Sequence, residues 1–147
     1  MTDWDKRFIE LARHVASWSK DRSTKVGAVI VDENRVVLSI GYNGFPRGVN
    51  DNTEAYHERP AKYKWTEYAE RNAIYNAARQ GAATIGCSMY IDWFPCMDCA
   101  RAIVQSGILK LVVPKPDFEH PRWGEDFKSA YSLFNQCGVF VKWFEED

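Results

Sequence analysis

The chain has 147 residues, enough to bury a real core and few enough for one domain spanning 1–147. Apolar residues make up 46% and charged residues 27%, and 19 Lys plus Arg nearly balance 20 Asp plus Glu. That balance gives no basic excess that would point to a coat for polymeric nucleic acid, and no apolar run reaches membrane-spanning length.

The opening residues Thr2-Asp3-Trp4-Asp5-Lys6 carry no apolar signal region, which predicts a cytoplasmic location. In a reducing compartment the four cysteines are expected as thiols or metal ligands. Thr2 with Asp5 three positions on reads as a helix N-cap with a reciprocal acid. Trp4, Phe8, Leu11, Ala12 and Val15 then follow at helical spacing. Two β-branched runs at 26–31 and 36–42, joined by the turn Asp32-Glu33-Asn34-Arg35, read as a hairpin. Gly44, Pro46 and Gly48 open a polar loop reaching about Ala61, long enough to be functional.

A second helix is expected from about Tyr63 to Gln80, stopped by Gly81, and a strand at 87–93. Pro95 starts a third helix ending near Gly107, and 109–113 is the next strand. A loop at 114–124 precedes a fourth helix with Phe127, Ala130, Tyr131 and Phe134 on one face. Gly138 ends that helix, and 139–144 is the last strand. The order α-β-β-α-β-α-β-α-β implies an α/β fold: a mixed sheet with helices on both faces.

The stretch Pro95-Cys96-Met97-Asp98-Cys99 carries the strongest chemical signal. Proline suits a first helical turn, and cysteines three apart share a helical face, so both sulfurs can reach one point. A helix N-terminus favours thiolate, the metal-binding form. By itself the C-x-x-C fits two reduced thiols or a redox pair equally well. Upstream, Glu70 in Glu67-Tyr68-Ala69-Glu70-Arg71-Asn72 opens a helix after a long loop, where an acid also complements the helix dipole. The two pieces combined are far more specific, because zinc deaminases carry H-x-E followed by P-C-x-x-C, with the glutamate as general acid/base and not a ligand.

On these residues the chain resembles the deoxycytidylate deaminase branch of the cytidine deaminase superfamily. The resemblance extends to Ser23-Thr24-Lys25-Val26-Gly27-Ala28, Gly41-Tyr42-Asn43-Gly44 and Gly86-Cys87-Ser88-Met89-Tyr90 leading into Trp93-Phe94-Pro95-Cys96. It implies a cytidine deaminase-like three-layer α-β-α fold with a five-stranded mixed sheet. It also implies a Zn2+ cofactor held by Cys96 and Cys99, catalysis by Glu70, and assembly into a homo-oligomer.

The family has histidine where this sequence has Tyr68. Three readings follow: Tyr68 binds zinc as phenolate, His57 substitutes from the preceding loop, or metal is weak or absent and the protein is a silent binding or assembly subunit. With zinc held at an open position, a bound hydroxide attacks C4 of cytosine while Glu70 shuttles the proton. By resemblance Asn43 contacts the sugar, and Arg122 with His120 contacts phosphate. Ala69, Trp93 and Phe94 complete the expected substrate side, and Arg59, Lys62 and Lys64 form a further basic cluster. The expected reaction is hydrolysis of a free cytosine nucleotide, dCMP to dUMP. A deaminase for another amino-heterocycle is the remaining alternative, since fold alone does not choose the ring.

Overall fold

The computed structural model describes residues 2–146; Met1 and Asp147, the ends of the expected 1–147 domain, lie outside the described residues. Helix α1 (Asp3–Ala16) begins with the expected capping box: Thr2 Oγ1 accepts the Asp5 N–H, and Asp5 reaches back to the Thr2 N–H. Strands β1 (Gly27–Val31) and β2 (Val37–Tyr42) form the antiparallel hairpin. After it come α2 (Glu54–His57), α3 (Ala61–Trp65) and α4 (Ala69–Gln80), then β3 (Ser88–Ile91), α5 (Met97–Gln105), β4 (Lys110–Pro114), α6 (Gly124–Cys137) and β5 (Phe140–Phe144).

The sheet order is β2-β1-β3-β4-β5, with β1 antiparallel to both neighbours and β3, β4 and β5 parallel. Period-two alternation sends Ala28, Ile30, Met89, Ile91 and Leu111 into the core under α4, α5 and α6. Val29, Val31, Tyr90 and Val112 face the other way, onto Phe8, Ile9 and Ala12 of α1. Three layers result, as expected. Among the described residues no helix is long and apolar enough to cross a membrane.

Two glycines set the spacing between layers. A Cβ on Gly27 would lie 2.0 Å from the Ala12 carbonyl oxygen, and one on Gly41 would lie 2.3 Å from the Ala73 nitrogen. Their missing side chains let α1 and α4 rest directly on the sheet. Helix α4 is then bolted to edge strand β2. Asn72 and Asn76 donate to the carbonyls of Tyr42 and Ile40 at 2.9 and 2.8 Å, and the Ser39 hydroxyl donates to Ala73 O at 2.7 Å.

The second expected helix is a correction. Instead of running from 63 to 80 it is broken between Trp65 and Ala69, and Thr66 and Tyr68 are extended. The cause is non-local: Glu67 exchanges both backbone hydrogen bonds with Gly44, at 3.0 and 2.7 Å, so the chain cannot also close helical bonds there. The preceding polar loop contains α2 and is packed by its own rings, Tyr56 stacking on Trp65 at 3.9 Å.

Candidate active site

At the end of the sheet where β3 and β4 terminate lies a cavity of about 620 Å³. Asn43 follows β2, Val26 precedes β1, Trp93 and Phe94 follow β3, and His120 to Trp123 follow β4; all line it. Its floor is the start of two helices. Tyr68 is the N-cap of α4 and Glu70 stands in that helix's first turn, while Cys96 is the N-cap of α5. Cys99, one turn on, is fully buried behind the floor.

These four side chains converge. Burial pushes the Glu70 carboxyl, 5% exposed, up to about 7, against hydrogen bonding from its own backbone N–H and the Cys99 thiol. Hydrogen bonding with Cys99 holds Cys96 below the usual thiol range although burial opposes it. The same contact drives Cys99 strongly upward, helped by burial and by the Glu70 charge. Burial, then the neighbouring Cys96 and Cys99 charges, push the Tyr68 phenol up to about 12. Asp126 at the start of α6 accepts the Met97 N–H at 2.7 Å, fixing the helix end that carries both sulfurs.

Among the described residues no three His, Cys, Asp or Glu side chains gather as a metal-binding group. His57 does not supply the third donor: its Nε2 lies 2.5 Å from Asp51 O, its ring packs on Phe45 at 4.9 Å, and it lines a neighbouring cavity with Lys20 and Arg22. What remains beside Glu70 is two thiols and the Tyr68 phenol, Cys96 and Tyr68 lining the cavity and Cys99 buried behind it. Three anionic donors around a dication match the charge of the three-cysteine sites that also occur in zinc deaminases, so this set fits zinc once the phenol is ionised. A nearby dication favours that ionisation.

The other expected residues divide. Asn43 is buried with both ends of its amide occupied: Oδ1 accepts the Val26 N–H at 2.9 Å and Nδ2 donates to Thr24 O at 2.8 Å. One Nδ2 hydrogen is left for a ligand. Ala69 is buried on the cavity wall. Phe94, 2% exposed, sits among Phe118, Phe127, Phe134 and Trp143, whereas Trp93 keeps 45% of its surface exposed at the mouth.

Arg122 reaches the cavity and does not pair with the acids near it in sequence. Glu119 faces Lys128, and Asp126 is spent on Met97. His120 Nδ1 accepts the backbone N–H groups of Arg122 and Trp123, both at 3.1 Å. Of the basic cluster, Arg59 and Lys62 line the cavity and Lys64 does not. Tyr63, Thr66 and Phe127 also line it and were not expected there from the sequence. Alternation in the extended segment 66–68 could have suggested Thr66, which shares a face with Tyr68.

Comparison with known proteins bears on the family and the fold. The family profile described as the cytidine and deoxycytidylate deaminase zinc-binding region matches residues 2–115. An uncharacterised deaminase encoded in the luxG 3′ region of Aliivibrio fischeri is 44% identical, covering 100% of this chain and 97% of the relative. The deoxycytidylate deaminase of Homo sapiens is 37% identical over 97% of this chain and 80% of its own. The crystal structure of the dCMP deaminase from cyanophage S-TIM5 in complex with dCMP and dUMP superposes with a TM-score of 0.79 at 25% identity, covering 98% of this chain and 99% of that one.

Proposed function

Because the chain belongs to the cytidine and deoxycytidylate deaminase family, we propose that it removes the exocyclic amine of a free cytosine nucleotide by hydrolysis, taking dCMP to dUMP. The cyanophage neighbour, crystallised with dCMP and dUMP, supports that choice of nucleotide. The observation that carries the chemistry is Glu70: a buried carboxyl pushed up to about 7, on a cavity floor shared with Cys96 and Tyr68. A group poised there gives and takes protons near neutral pH. Glu70 takes a proton from the attacking water and passes it to the ring nitrogen beside C4, then takes the remaining proton of the new C4 hydroxyl and delivers it to the amine, which leaves as ammonia as the C4 carbonyl forms.

Cys96, Cys99 and Tyr68 would hold zinc. When bound, the ion supplies Lewis acidity that brings the pKa of a water at an open position down to about 7. Trp93 covers the base from the mouth, Phe94 and Ala69 shape the wall, and Asn43 offers its remaining N–H to the sugar. Arg122 and His120 meet the phosphate. The same reading has the protein working in the cytoplasm on free nucleotides, as a homo-oligomer.

A second reading, a family member that binds nucleotide without turning it over, is favoured by one observation: the third donor is a phenol pushed up to about 12. Elemental analysis with an ammonia-release assay separates the two. About one zinc per chain, with ammonia from dCMP but not from cytidine or guanine, supports the deaminase. No zinc in the parent, with metal and turnover gained in Tyr68→His, supports the silent form.

A further inference from the structure

We infer that Tyr63 is a positioning residue that holds Arg59 and Arg122 as a two-guanidinium clamp for the 5′-phosphate; this rests on the reading of the cavity as a nucleotide site. The three residues come from two segments that are distant in the chain. Arg59 lies just before α3 and Tyr63 within it, and Arg122 lies in the loop after β4. Arg122 Nη1 is 3.4 Å from the Tyr63 hydroxyl oxygen, and the Arg59 guanidinium lies 5.8 Å from the centre of the same ring. Trp123 meets that ring edge-on at 6.4 Å, which backs it from the other side of the cleft.

Among the described residues neither guanidinium forms an ion pair. The nearby carboxylates are engaged elsewhere: Asp21 holds Lys62 at 3.0 Å, Glu119 faces Lys128 at 3.5 Å, and Asp126 accepts from Met97. Lys62, though it lines the cavity, is thereby neutralised. What remains at the mouth is two guanidiniums joined through one phenol. His120 stands beside them; with Nδ1 accepting two backbone N–H groups, its neutral ring carries the proton on Nε2 as a further donor.

Two like charges gathered without a counter-charge repel, and a stack on a ring plus a hydrogen bond to its hydroxyl only partly offset that. A phosphate monoester dianion matches the pair in charge and in bidentate geometry. Because Tyr63 already orients both groups, less side-chain freedom is lost when the anion arrives. A nucleoside lacking the phosphate gains nothing from the clamp.

Calorimetric titration with the product dUMP and with deoxyuridine tests this without needing turnover. The parent is expected to bind dUMP at least about tenfold more tightly than deoxyuridine. Arg59→Ala and Arg122→Ala should each weaken dUMP by about tenfold and leave deoxyuridine unchanged. Tyr63→Phe, at a half-exposed ring whose loss of one hydroxyl does not threaten folding, should weaken dUMP about threefold, and should add nothing in the Arg122→Ala background. Equal affinity for the two ligands, or no change in dUMP affinity from Tyr63→Phe, overturns the clamp while the nucleotide-site reading stands. Binding of neither ligand overturns that reading and the clamp together.

Discussion

Replacing Glu70 by Gln should make the metal-free protein more stable, and by an amount that depends on pH. The carboxyl is 5% exposed, and burial is the leading cause of its rise from 4.5 to about 7. Below pH 4.5 it is protonated in both folded and unfolded chains and contributes no difference. Between 4.5 and about 7 the unfolded chain releases its proton first, so stability falls as pH rises. Above about 7 the folded protein carries a buried anion, and the accumulated loss, at about 1.4 kcal/mol per pH unit, is roughly 3 kcal/mol. Glutamine cannot ionise but keeps an oxygen for the residue's own backbone N–H.

Urea unfolding of chelator-treated parent and variant at pH 4.5 and pH 8 measures the effect. The variant should gain roughly 3 kcal/mol at pH 8 and close to nothing at pH 4.5. A gap of the same size at both values would mean that packing, not charge, decides it, and would refute the reasoning. Turnover in the same variant should be abolished, since the amide cannot carry the proton.

Three further outcomes follow from the same structure. Gly41→Ala places a methyl 2.3 Å from the Ala73 nitrogen and should cost about 3 kcal/mol in urea unfolding while displacing the helix that carries Glu70; a loss under about 1 kcal/mol contradicts this. For Asp5, burial alone would raise the carboxyl, but the Lys142 ammonium at 2.6 Å, the Thr2 cap and Lys110 carry it down from 3.8 to about 2. A depressed acid stabilises above its unfolded value and loses that stabilisation as pH falls through the folded one. Asp5→Asn should therefore lose about 2 kcal/mol at pH 7, with the difference closing from pH 4 towards pH 2. Among the described residues Thr66 Oγ1 is a buried side-chain oxygen with no hydrogen-bond partner, so Thr66→Val should raise ligand-free stability by about 1 kcal/mol; a lower urea midpoint would show that the hydroxyl does have a partner.

What the chain announced in advance is what local interactions govern. Apolar spacing from Trp4 to Val15, the Thr2–Asp5 box, and the β-branched runs at 26–31 and 36–42 depend on neighbours a few residues away, and each became the expected element. The C-x-x-C at a helix start was legible for the same reason, whereas Glu70 stood out only by its pairing with that motif and stands in a first turn because the helix breaks before it. The break before Tyr68 was not legible, because it comes from Gly44, more than twenty residues upstream, taking the backbone bonds of Glu67. Nor did spacing reveal that Asn43 is tied to Thr24 and Val26, that Phe94 is enclosed by rings from α6, β5 and the loop after β4, or that Arg122 meets Tyr63 rather than a carboxylate. Hydrophobic periodicity reports which way a side chain faces, and only the assembled layers fix which partner it meets there.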